Sequence, residues 1–264
     1  MSLSSITEKI NKAPDLDFGD IFNRCIELFK KTWIQGLLLQ VFTVIVMLPL
    51  IIVFYIPFVL AMVAQAESGY VGGNGLYDTF FAGMSVITVV LFFAGMLVLG
   101  AVSVALNAGF YRIMKRLDHN QEVNTSDFFY FLKGKYLSKC FMLMLISILI
   151  AIPSALLCYI PLIYVMVPMS FFTAFFAFNS ELSVGDIVSG SFKLGNKKWL
   201  ITFGLMIVSG LCVSVISMLT CGLGSLFLAA FAYHPIYLIY KDVVGFSGSD
   251  HDKYDIRVED IGTE

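Results

Sequence analysis

The segment DFGDIFNRCIELFKKTWI (residues 17–34) returns as SVGDIVSGSFKLGNKKWL (residues 183–200), and each copy runs straight into a long stretch without charge. Gly19/Gly185, Asp20/Asp186, Ile21/Ile187, Leu28/Leu194, Lys31/Lys197 and Trp33/Trp199 are identical, and the last pair uses both tryptophans of the chain. Identity at these positions without a gap reads as internal duplication.

The uncharged stretches fix the fold class. Asp, Glu, Lys and Arg are absent from Thr32 to Ala66, Thr79 to Tyr111, Cys140 to Ser180 and Trp199 to Tyr240. Each run exceeds the roughly 20 residues that cross a bilayer core. Composition agrees: 58% of residues are hydrophobic and 14% charged, with mean hydropathy +0.85, against about 25% charge in soluble domains. The last two runs would reach about 60 Å as single helices, twice the core thickness. They are therefore expected to fold back, at Cys158 to Pro161 and at Thr220 to Gly224, where Gly222 and Gly224 relieve the turn. The expected fold is an all-α integral membrane six-helix bundle with spans near 34–64, 80–111, 138–157, 161–180, 199–219 and 224–240. The polar first 30 residues hold no signal-peptide pattern, so the first span is expected to direct insertion.

Charge orients the bundle, since Lys and Arg near spans gather on the cytoplasmic side. With six spans and both termini cytoplasmic, all 17 basic residues fall inside, and only Glu67 and Asp78 fall outside. Four spans would put Lys193, Lys197 and Lys198 outside, which disfavours that count.

The duplicated segments carry helix-start patterns: Asp17 with Asp20, Ser183 with Asp186, and a third instance at Asn124 with Asp127. Phe18, Ile21, Phe22, Cys25, Leu28 and Phe29 then share one face. Lys31 with Trp33, and Lys197 with Trp199, suit the boundary between lipid and water as interfacial anchors. The expectation is three helical hairpins (internal units 17–111, 124–180 and 183–241), each preceded by an amphipathic in-plane cytoplasmic helix. The middle unit is the loosest, with a surface helix over Asn124 to Tyr136. Packing of these faces on protein loops instead of lipid stays open, because the periodicity is the same. Residues 1–244 read as a single membrane domain and 245–264 as a poorly ordered acidic cytoplasmic tail. The long first hairpin is expected to project its outer end, with the Gly-rich turn Glu67 to Asp78 at the tip.

Chemistry is sparse. Three histidines are scattered at His119, His234 and His251, and there is no paired-histidine metal motif, nucleophile elbow or phosphate loop. The spans carry no Asp, Glu, Lys or Arg of the kind that energised transporters bury. Gln40, Asn107, Asn179 and His234 are candidates for lining a polar path, although helix-to-helix hydrogen bonding is the alternative role. Cys158 and Cys221 fall at outer turns, where either a disulfide or two apolar side chains would fit.

Phe18-Gly19-Asp20-Ile21 through Leu28-Phe29-Lys30-Lys31-Thr32-Trp33, its second copy Gly185-Asp186-Ile187 through Lys197-Lys198-Trp199, and the closing Ile239-Tyr240-Lys241-Asp242 resemble a family of uncharacterised bacterial multi-pass membrane proteins related to the membrane domain of glycerophosphodiester phosphodiesterases. The resemblance implies a six-helix membrane module without the soluble phosphodiesterase domain. Some similar sequences carry a carotenoid-oxygenase label, which the residues oppose, because that chemistry needs four iron-binding histidines. The expectation is a non-enzymatic scaffold or accessory subunit of the bacterial cytoplasmic membrane in envelope or lipid-related processes. Its partners would be membrane lipids, anionic ones included, and a membrane protein. No cofactor, metal or nucleic acid is expected. The alternative is a passive permease or channel for a lipid or small amphiphile.

Overall fold

The structure, a computed structural model, describes residues 1–67, 86–157 and 159–246. The described residues form helices α1 (Leu3–Lys12), α2 (Phe18–Leu50), a π-helical turn (Ile51–Tyr55), α3 (Ile56–Glu67), α4 (Val86–Asp118), a 3-10 segment (Thr125–Leu132), α5 (Gly134–Leu156), α6 (Ile160–Phe178), α7 (Val184–Lys197), α8 (Trp199–Leu219), α9 (Leu223–Leu228), a second 3-10 segment (Ala229–Ala232) and α10 (Tyr233–Val243). Six helical stretches are long and apolar enough to cross a membrane: Phe18–Leu60, Val89–Asp118, Gly134–Leu156, Ile160–Phe178, Trp199–Leu219 and Leu223–Val243. This is the make-up of a multi-pass membrane protein. The tip of the first hairpin, expected over Glu67 to Asp78, lies beyond residue 67 and outside the described residues.

Helix α2 packs along α4 and along the sequence from α9 through α10, α5 packs along α6, and α6 lies against α7. The core gathers toward the end of the bundle where the charges are. It is built from Ala105 to Met114 on α4, Val167 to Ala177 on α6 and Ile236 to Tyr240 on α10. Toward the other end, apolar side chains point outward, among them Ile52, Leu91, Leu149, Ile160, Leu211 and Met218. That distribution suits a chain in lipid, where burying apolar surface between helices gives no hydrophobic gain and close packing needs specific contacts.

The two similar segments bury matching positions. Ile21, Cys25, Leu28, Thr32, Gly36 and Leu39 are buried in the first copy, and Ile187, Ser191, Leu194, Lys198, Thr202 and Leu205, each at the matching position, are buried in the second. The same helical stripe faces the interior twice.

The two copies nevertheless bend differently, which corrects the expectation of matching in-plane helices. Phe18–Leu50 is one uninterrupted helix, so the first amphipathic segment continues straight into its span. The second copy breaks at Lys198 (φ −115°, ψ 28°), between α7 and α8. The stripe of α7 is satisfied by protein: a Cβ added to Gly190 would come within 2.7 Å of the Phe175 ring, and one on Gly195 within 2.6 Å of the Pro168 backbone. On its other flank α7 carries α1, an amphipathic helix absent from the sequence-based expectation, whose Ile6 and Ile10 are buried.

The middle unit departs furthest. No α-helix covers Asn124 to Tyr136; the chain forms the 3-10 segment, then turns extended at Lys133 (φ −62°, ψ 139°) and starts α5 at Gly134. Phe128 and Phe131 are both buried, a spacing that the three-residue turn of a 3-10 helix stacks on one face. The segment lies so close to α4 that a Cβ on Gly109 would sit 2.5 Å from the Phe128 carbonyl oxygen.

Breaks elsewhere have local causes. The π-turn is flanked by Pro49 and Pro57, neither of which has an N–H to donate. The turn between α8 and α9 places Gly222 at φ 91°, with the Thr220 hydroxyl accepting from the Gly224 N–H at 2.7 Å. The chain stays packed through Phe246, whose ring lies 4.8 Å from that of Phe178, and the rest of the expected tail, 247–264, lies outside the described residues.

Candidate functional site at the charged end of the bundle

Lys241 and Asp242 sit side by side on α10 and reach in different directions. Asp242 takes a bidentate contact from Arg24 of α2, at 2.8 Å to each oxygen. Arg24 also contacts Asp20, one helical turn back, at 3.2 Å. Lys241 and the Tyr237 hydroxyl both donate to Asp118, the last residue of α4, at 2.5 and 2.8 Å. Two consecutive residues therefore tie the last span to the first and second. These are charge-assisted bonds between partly buried groups, and the paired guanidinium geometry fixes direction as well as distance.

Other cations hold backbone or loops. Lys9 donates to the Val244 carbonyl at 2.8 Å, which fastens α1 to the end of α10. Lys139 donates to the carbonyls of Ser180 and Leu182. Lys198, almost fully buried, reaches the Pro14 carbonyl, with Asp15 at 3.8 Å. Arg116 pairs with Asp127. Two open grooves lie at this end, one of about 670 Å³ between α1 and Lys193 and one of about 460 Å³ between α1 and the end of α10.

The residues expected as interfacial anchors differ in exposure. Trp33 is 44% exposed, and Lys31 next to it donates to the Asn120 side chain at 2.9 Å. Trp199 packs on protein, stacking on Tyr164 and Phe203 and donating Nε1–H to the Tyr164 carbonyl at 3.0 Å. Lys197 is exposed. Asp17 accepts from the Asp20 N–H at 2.7 Å, and Ser183 from the Asp186 N–H at 3.1 Å. Asn124 and Asp127 cap each other reciprocally. In α2 the exchange runs one way, because the Asp20 carboxylate turns to Arg24.

The four polar-path candidates do not come together. Asn107 is half-buried and bonded to Tyr233. Asn179 donates to the Tyr240 hydroxyl, and Gln40 is half-buried on α2. His234, fully buried, touches the Thr32 hydroxyl through Nε2 at 2.7 Å and the Ala230 carbonyl through Nδ1 at 3.1 Å. A carbonyl only accepts, so Nδ1 carries the proton and Nε2 accepts from Thr32 in the neutral ring. His234 thus caps the 3-10 break between α9 and α10, and Phe29, Phe110 and Phe231 wall the ring. Thr32 could have been suspected from its place beside Trp33, but its partner 202 residues away could not.

Among the described residues, no group of three His, Cys, Asp or Glu side chains could hold a metal ion. Cys221 is a free, exposed thiol, and its candidate partner Cys158 lies outside the described residues. Comparison with protein-family models, curated proteins and solved structures finds no match for the chain.

Proposed function

We propose that the protein is a non-enzymatic scaffold or accessory subunit of the bacterial cytoplasmic membrane, with six spans in three hairpins and both termini in the cytoplasm. In this reading the charged end faces the cytoplasm and meets anionic lipid and a membrane-protein partner. The observation that carries it is how the interior is used. Phe110, Tyr111, Phe171, Phe175, Tyr237 and Tyr240 fill the space where a path would run, and all are at most 1% exposed. Asn107, Asn179 and His234 each spend their hydrogen bonds on a neighbouring helix or turn. Aromatic filling of this kind, among the described residues, supports a role in association over one in solute passage. The resemblance to phosphodiesterase membrane domains favours an association in envelope or lipid-related processes.

The experiment is crosslinking in intact membranes, with purification in mild detergent afterwards. A stoichiometric membrane-protein partner, or retained anionic lipid, is expected. Repeated recovery of the bare protein, together with solute flux through reconstituted vesicles, would overturn the reading in favour of a permease.

A further inference from the structure

The corner formed by α4, the first 3-10 segment and the start of α5 collects cations on aromatic faces. The Arg112 guanidinium lies 3.7 Å above the Tyr130 ring centre and 5.6 Å above that of Phe131. Lys133 stands 5.5 Å from the Tyr130 ring, and Lys135 5.8 Å from the Tyr136 ring. The two tyrosine rings are stacked at 5.6 Å with planes 26° apart. Burial pushes the Tyr130 phenol up, but hydrogen bonding from Tyr136 and the charges of Arg112 and Lys133 outweigh it, so the phenol sits below its ordinary range. Arg112 and Lys133 thus place positive charge beside the Tyr130 phenol, whereas Lys135 is paired with Glu181 at 3.4 Å.

Depth decides what such a field meets. The ring of Phe129, 42% exposed, lies 5.1 Å from Phe42, a residue roughly 15 Å along α2 from Thr32 at ~1.5 Å per residue. The close approach at Gly109 draws the same segment back along α4, away from its charged end at Asp118. The corner therefore stands beside the spans, with an exposed phenylalanine next to exposed Lys133, which makes no ion pair among the described residues. Apolar insertion beside basic charge is how proteins hold lipid headgroups.

We infer that Arg112, Tyr130, Lys133 and Tyr136 bind the phosphate of an anionic glycerophospholipid, with Phe129 against its acyl chains. The inference rests on the proposed lipid-facing role and gives it an address. Arg112 is held flat by stacking, which fixes its orientation toward a phosphate, while Lys133 contributes as a mobile point charge.

The test uses the full chain in mild detergent with phosphatidylglycerol and phosphatidylcholine as competing probes, counted by native mass spectrometry. The wild type is expected to retain phosphatidylglycerol in preference to phosphatidylcholine. At about 1 kcal/mol per cation near a surface, Lys133→Glu, which removes one positive charge and adds a negative one, lowers that affinity about 30-fold, and Lys133→Gln about fivefold. Lys12→Gln, at an exposed position of α1, leaves it unchanged. Lys133 is exposed, so these variants keep the fold, and Arg112→Lys retains the charge without the planar fork. A preference that survives Lys133→Glu overturns this site alone, whereas a wild type with no preference overturns the lipid role with it. Inorganic phosphate displacing the lipid at millimolar concentration would show a free-anion site and refute the lipid assignment.

Discussion

Breaking the Arg24–Asp242 pair tests whether the charged end really locks the last span to the first. The two side chains are 32% and 20% exposed, between surface pairs worth ~0–1 kcal/mol and buried pairs whose disruption costs about 3–5 kcal/mol. Hydrogen bonds to charged groups contribute roughly 1.5–3 kcal/mol before solvent screening, and that screening halves the figure here. Arg24→Ala also removes the contact to Asp20, so a single variant overstates the pair. A double-mutant cycle with Asp242→Ala isolates it, with an expected coupling of about 0.8–1.5 kcal/mol. For a chain of this size that is a loss of roughly 2–6 °C in apparent melting temperature. The assay is thermal unfolding of the four proteins in one detergent at one ionic strength. Coupling below about 0.3 kcal/mol would mean that the Arg24–Asp242 pair does not fasten α10 to α2, and that part of the account of the charged end would fail.

Particular contacts lead to three more expected outcomes. Thr32→Val leaves Nε2 of buried His234 without its partner and is expected to cost about 1–3 kcal/mol, read as a lower melting temperature; a neutral result would refute the Thr32–His234 hydrogen bond. Gly109→Val sets a side chain against the Phe128 carbonyl, 2.5 Å from where its Cβ would stand, so the 3-10 segment should be forced off α4 and become sensitive to proteolysis between residues 119 and 133. Cysteines introduced at Lys133 and Lys193 should resist a membrane-impermeant thiol reagent in intact cells, while Cys221 at the opposite turn reacts after mild reduction; rapid labelling at 133 or 193 would invert or dismantle the topology.

The spans were readable because lipid imposes a crude rule: no charge for about 20 residues. That rule sees neither where a helix begins outside the lipid nor what its charges do there. Phe18–Leu50 begins well before its uncharged run, because nothing between Glu27 and Ile34 breaks a helix. Helix α1 is short and polar, so it gives no span signal, although Ser2 caps it and Ile6 and Ile10 line one face. The middle segment misled because Asn124 and Asp127 do form a capping pair, but the pair opens a 3-10 turn. Only the partner across Gly109 decides between the two. Likewise Asp118, Lys241 and Asp242 were visible as charges at span ends, and their pairing depends on which helices touch.

One difference between the duplicated copies accounts for much of the asymmetry between the two halves of the bundle. The buried stripe keeps its place, but Thr32 in the first copy is Lys198 in the second. A buried threonine has one hydroxyl hydrogen, which either the Leu28 carbonyl of its own helix or His234 across the interface can accept, so it is satisfied without leaving helical geometry and α2 continues without a break. A buried ammonium has no acceptor within its own helix and is costly without one. Lys198 meets this demand by leaving helical geometry and reaching the Pro14 carbonyl in the link between α1 and α2. The bend between α7 and α8 and the position of the amino-terminal segment are thus coupled through one side chain. Two segments of similar sequence thus form one uninterrupted helix and one broken pair, and α1 rests on the first helix of that pair.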